Sequence, residues 1–139
     1  MAGDLTATLH DVMPFAALIG AEAVTATAQE VRLRLDWDPT RCTAGHLLHG
    51  GAVMALADTG GGWCASMNLP EGATGTATVE SKTNFLRGVT SGTIESVSTV
   101  LHAGRMFVVV ETEVRDTTSG KLVAKVTQTQ AVLRPNPSG

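Results

Sequence analysis

The sequence predicts an α+β fold in which one long helix packs against a mostly antiparallel sheet of about five strands. Between Arg41 and Glu71 the only formally charged residue is Asp58, set in a run of small and apolar residues that reads as one buried helix. Before it, Val31, Leu33 and Leu35 alternate with Glu30, Arg32, Arg34 and Asp36, the period of a half-exposed strand. After it come four more alternating segments dominated by Thr and Val, as antiparallel strands with one face on a core require.

Taken in order, residues 10–20 read as a short helix, with Asp11 as cap, Pro14 in the first turn and Gly20 as stop. Its Phe15, Leu18 and Ile19 are the packing residues. Residues 21–37 read as one long strand that Asp38-Pro39-Thr40 ends, and residues 41–48 as a loop feeding a helix from His49 to about Met67. Gly60, Gly61 and Gly62 each disfavour that helix by roughly 1 kcal/mol relative to alanine, so it needs tertiary support. A sheet wrapped around it supplies that support, and the glycines let a neighbouring backbone or a ligand come close. A turn at residues 68–72 leads to strands near 74–87, 91–103, 105–116 and 121–134, the last two joined at Asp116-Thr117-Thr118-Ser119-Gly120. The tail from Arg134 is expected to fray.

The 139 residues suffice for one domain, 1–139, with a core from about 12 to 133. Tyr is absent, aromatics make up 4% and the net charge is −3, which argues against base stacking on single strands and against a broad phosphate-binding surface. Cys42 and Cys64 form no disulfide framework and suit buried thiols in a reducing compartment. No basic segment leads into an apolar run at the start, and no run reaches about 18 apolar residues, so the expectation is a soluble cytoplasmic protein. Cys42, His46, His49 and Cys64 are zinc-type donors, but their spacing is no compact metal knuckle, and no metal is expected.

Helix geometry adds a constraint. From His49 to Asp58 the helix rises about 13 Å and turns through about 900°, which puts the two side chains on opposite faces. For both to serve one pocket, two copies of the helix must lie antiparallel, which implies a dimer.

His49-Gly50-Gly51, the Ala-Leu-Ala-Asp-Thr of 55–59, Asn84-Phe85-Leu86-Arg87 and the Gly104-Arg105 hairpin together resemble the hotdog-fold acyl-CoA thioesterases of the PaaI-like group, within the 4-hydroxybenzoyl-CoA thioesterase superfamily. The likeness runs from about residue 12 to 133. It implies a hotdog fold, hydrolysis of an aromatic or short- to medium-chain acyl-CoA, and a homodimer or homotetramer with active sites at the dimer interface. It implies no cofactor beyond the coenzyme A of the substrate, and neither a nucleic-acid nor a membrane partner. Asp58 would be the general base or the nucleophile. The Gly50 N–H at the helix start would polarise the thioester carbonyl, with His49 orienting that segment or bonding near the carbonyl. Thr78 would hold the attacking water. Gly51, Thr43, Asn84, Arg87 and Arg105 would bind substrate, the two arginines at phosphates, with Lys82 and Lys121 as further cations. Thr43 stands near where relatives often carry an asparagine, and Gly62 where some carry a hydroxyl residue. Two alternatives remain on the sequence: an enoyl-CoA hydratase, although the Asp–His pair usual there is missing, and a non-catalytic acyl-CoA binding protein.

Overall fold

The computed structural model describes residues 2–136. Its elements are helices α1 (Ala2–Val12), α2 (Pro14–Ile19) and α3 (Gly50–Ser66), and strands β1 (Glu22–Ala26), β2 (Val31–Asp36), β3 (Gly75–Phe85), β4 (Thr93–Ala103), β5 (Phe107–Asp116) and β6 (Leu122–Leu133). The strands form one six-stranded antiparallel sheet in the order β1-β2-β4-β5-β6-β3. α3 leaves β2 near one edge, crosses the concave face and delivers the chain to β3 at the far edge. A sheet curled around a single central helix is the hotdog arrangement.

Two stretches depart from the sequence expectation. The helix expected over 10–20 is two helices. Asp11 lies in the last turn of α1, and α2 starts at Pro14 without any side-chain cap. Proline cannot donate into a continuing helix, but it fits a first helical position, so the break falls at Met13. Gly20 does stop α2, at φ 79°, its N–H returning to the Ala16 and Ala17 carbonyls.

The long strand of 21–37 is a hairpin, which brings the sheet to six strands. Its turn rests on the Thr27 hydroxyl, which accepts from the Glu30 N–H at 3.1 Å, while the Thr27 N–H donates to the Glu30 carbonyl at 2.9 Å.

The four later strands and α3 lie within a few residues of their expected bounds. Position 79 of β3 is an extra residue: Thr78 opposes Gln130 and Glu80 opposes Thr129, so Val79 has no partner on β6.

Apolar residues on alternate strand positions build the core. Leu33, Leu35, Ile94, Val108, Val110, Val114 and Val126 are fully buried against Val53, Leu56, Ala57 and Cys64 of α3. Gly60 lets the helix settle onto the sheet, since a Cβ there would lie 3.0 Å from Ser98 Oγ and 3.4 Å from Leu33 Cδ1. The convex face carries charge, with Glu95 bridging Arg32 and Arg34 and Lys125 paired with Glu111. Such exposed pairs add solubility more than stability.

The two sheet edges differ. Along β1, Thr6 of α1 accepts from the Ala23 N–H at 3.0 Å, and the His10 ring bonds the Ala21 carbonyl at 2.7 Å, so α1 covers that edge. The opposite edge, β3, offers a free ladder of eleven residues, with Val79 and Phe85 among its exposed side chains.

Candidate active site

Everything begins at the N-terminus of α3. His49 is the N-cap, in extended conformation (φ −63°, ψ 135°), and its Nδ1 accepts the Gly51 N–H at 2.7 Å. Its carbonyl takes the Ala52 and Val53 N–H groups. The Gly50 N–H has no acceptor among the described residues, leaving one free donor at the positive end of a seventeen-residue helix. Gly50 faces a groove of about 420 Å³ with Thr43, Leu47, Phe85 and Arg87 along it. The Phe85 ring covers the glycine closely, its Cζ 3.1 Å from where a Cβ would stand. His49 itself lines a separate hollow, next to Arg41 and Cys42.

The loop before α3 is held by its own polar groups. The Asp38 carboxylate accepts from the Thr40 hydroxyl at 2.6 Å and the Thr40 N–H at 2.9 Å, and these two bonds, the hydroxyl first, hold its pKa below the usual carboxylate value. Arg41 reaches back to cap α2, its Nε donating to the Ile19 carbonyl at 2.5 Å, while its own carbonyl accepts the His49 N–H at 2.9 Å. This structural role of Arg41, which ties α2 to the start of α3, has no local signal in the sequence.

Two turns further along, Asp58 is exposed. It lies in a cleft of about 580 Å³ walled by Leu9 and Val12 of α1, Met13 between the helices, Phe15 of α2 and Trp63 of α3. The Asp58 Oδ1 accepts from the Thr78 hydroxyl at 3.2 Å. Behind Thr78, the Gln130 amide donates to the Thr78 oxygen at 2.7 Å. A carboxylate held at one oxygen in an apolar cleft is a group that can act as a base or a nucleophile.

The expected site residues thus fall into two groups. Asp58 and Thr78 share the larger cleft; Gly50, Thr43 and Arg87 share the smaller groove, and the two share no lining residue. Gly51 spends its N–H on His49. Asn84 of β3 sits opposite Lys125 of β6 and lines neither space. Arg105, in the β4–β5 turn, also lines neither; its carbonyl accepts from Arg134 at 2.9 Å. Among the described residues no three His, Cys, Asp or Glu side chains converge as metal ligands, and no helix is long and apolar enough to cross a membrane. Gln128 and Gln130 belong to no motif in the sequence, although both occupy positions where β6 should carry apolar side chains in step with Val126.

Comparison with known proteins agrees with this architecture. A thioesterase of Haemophilus influenzae superposes with a TM-score of 0.85 at 25% identity, over 96% of this chain and 91% of its own. A conserved protein of Pseudomonas aeruginosa is 35% identical over 86% of this chain and 93% of its own, with a TM-score of 0.78. The PaaI protein of Escherichia coli, from the phenylacetic acid degradation operon, shares the fold at 18% identity and a TM-score of 0.82, over 95% of this chain and 93% of its own. None of the curated proteins searched matches the sequence. The family model of the thioesterase superfamily matches residues 45–123, which span the loop before α3, α3 itself and the strands through β5, and the chain belongs to that superfamily.

Proposed function

We propose that the protein hydrolyses the thioester of an aromatic or short- to medium-chain acyl-CoA, with each active site shared between two copies of the chain. Membership of the thioesterase superfamily supports the hydrolytic chemistry. The observation that carries the reading is the separation on α3 of an unpaired amide, Gly50 N–H, from a lone carboxylate, Asp58, in spaces with no common wall. Eight residues of helix put them about 12 Å apart along the axis. One thioester reaches both only if a second chain brings its Asp58 cleft to the Gly50 groove of the first.

The free β3 edge fits that arrangement: an eleven-residue ladder with exposed apolar side chains is a surface that natural proteins cover. A second copy joined there about a two-fold axis would create two equivalent sites, in a dimer or a dimer of dimers.

In such a site the Gly50 N–H, backed by the helix dipole, stabilises the oxyanion, and Asp58 of the other chain activates water or attacks to form an anhydride. Arg87, which borders the Gly50 groove, would meet a phosphate of coenzyme A. The apolar cleft beside Asp58 takes the acyl group, and no cofactor beyond coenzyme A is needed.

The test is release of free thiol from a panel of aromatic, short and medium acyl-CoA substrates by the native protein and by Asp58→Asn. Loss of several orders of magnitude in a folded variant supports the reading. Full activity of Asp58→Asn removes the carboxylate from the chemistry, and binding without turnover across the panel leaves an acyl-CoA binding protein.

A further inference from the structure

The cleft beside Asp58 is backed by two buried amides that the proposed chemistry leaves unused. Gln128 and Gln130 stand on the concave face of β6, 0% and 1% exposed, among valines and leucines. Full amides are rare in such a layer, because each brings two donors and an acceptor that want partners.

Their hydrogen bonds run in one direction. The Gln130 Nε2 donates to the Thr78 hydroxyl oxygen at 2.7 Å and to Gln128 Oε1 at 2.5 Å. A hydroxyl has a single proton, so with an amide N–H on its oxygen the Thr78 proton is left for Asp58 Oδ1, 3.2 Å away. Were the Gln130 amide turned over, its carbonyl oxygen would compete with Asp58 for that proton. Gln128 prevents this by presenting its own carbonyl oxygen to Gln130.

That choice leaves the Gln128 Nε2 buried without a partner among the described residues, pressed against α3 where a Cβ on Gly61 would lie 2.5 Å away. An unpaired buried amide donor is unfavourable. Its retention beside an ordered chain that ends on an exposed carboxylate is the feature that calls for a functional reason.

We propose that Gln130 is a positioning residue. By donating to Thr78, and held in that orientation by Gln128, it fixes the direction of the Thr78-to-Asp58 hydrogen bond. Asp58 is then held at Oδ1, and Oδ2, which has no partner among the described residues, faces the reacting water or carbonyl carbon. The role rests on the hydrolytic reading of Asp58 given above.

The experiment is a kinetic double-mutant cycle on the full-length protein, using Gln130→Met, which keeps length and removes the donor, and Thr78→Val. Gln130→Met is expected to lower kcat about tenfold, the scale of one neutral hydrogen bond, with KM unchanged. In the Thr78→Val background the same change is expected to lower kcat no further. An unaltered kcat, a loss that multiplies with that of Thr78→Val, or a rise in KM alone overturns the proposal.

Asp58→Asn runs in parallel. If it stays fully active, the catalytic reading falls and the positioning role with it; if it collapses while Gln130→Met is unaffected, only the positioning role falls. Should Gln130→Met fail to fold, the side-chain amide protons of Gln130, read by NMR, are expected to shift on Thr78→Val and to stay on Thr78→Ser. Identical spectra for the two variants overturn the proposal.

Discussion

Replacing Gly50 by proline removes one hydrogen-bond donor from the start of α3 while leaving the helix almost untouched. Gly50 is the first helical residue, so its N–H serves no intrahelical bond, and proline is accepted at that position. The preceding His49, at φ −63° and ψ 135°, already has the extended conformation that a residue before proline adopts. The new Cβ would stand 3.1 Å from Phe85 Cζ, which asks the half-exposed ring to move by a few tenths of an ångström. Gly50→Ala makes the same Cβ demand on Phe85 and keeps the N–H, so the ratio of the two variants reports the loss of the donor together with the proline Cδ that takes its place.

If that N–H stabilises the oxyanion, kcat of Gly50→Pro should fall about 10²- to 10³-fold below that of Gly50→Ala, equivalent to about 2.7–4 kcal/mol. Thiol release from the best acyl-CoA substrate measures it. Equal rates for the two variants would refute a role for the donor.

Co-expression of Gly50→Pro with Asp58→Asn then asks whether sites are shared. In a mixed dimer one site carries both changes and the other carries neither, so random mixing should restore about a quarter of native activity. No recovery in demonstrably mixed dimers would mean that both groups act within one chain, against the helix geometry.

Two further predictions concern the fold. Gly61→Ala and Gly62→Ala are the same chemical change one residue apart with opposite expected signs: at 61 the methyl meets the buried Gln128 amide at 2.5 Å and should destabilise by about 1–3 kcal/mol, whereas at 62 nothing lies within 4 Å and the helix should gain up to about 1 kcal/mol. Denaturant unfolding of the two variants decides, and equal midpoints would sink the close-approach account of Gly61. Burial pushes the Cys64 thiol pKa up, so the folded state favours the protonated form. That contribution is complete below the unfolded thiol pKa of about 8.5 and is lost as pH rises through the higher folded value. Stability should therefore fall more steeply above pH 8.5 in the native protein than in Cys64→Ala, and parallel slopes would contradict it.

The sequence exposed those features whose signal is local. The α3 bounds, the four later strands and the isolation of Asp58 follow from runs of one polarity or one period, and the structure keeps them. The β1–β2 hairpin stayed hidden because its turn uses the Thr27 hydroxyl where a glycine or proline would have announced it. α1 was missed since Gly3, Thr6 and Thr8 are weak helix formers; the helix holds through Leu9 in the core and through Thr6 and His10 bonded to the β1 edge. At the candidate site, Asp58, Gly50 and Thr78 were legible as residue types at motif spacing. The glutamines behind Thr78 were not, because their significance lies in a pairing fifty-two residues apart in sequence. Nor could spacing show that Arg87 borders the Gly50 groove while Arg105 does not.

The unpaired Val79 has an arithmetic consequence. Thr78, which serves the Asp58 cleft, and Phe85, which lies over Gly50, are seven positions apart, an odd number, and on an unbroken strand they would point to opposite faces. The extra residue shifts the count, so that 76 and 78 look toward α3 before it and 81, 83 and 85 after it. One strand can therefore furnish both ends of the helix, and so both halves of a composite site, only because its parity changes midway. Deleting Val79 should therefore straighten β3 and still leave Thr78 and Phe85, then six positions apart, facing α3 in their present pairing, and exchanging Val79 for another β-branched residue should pass unnoticed.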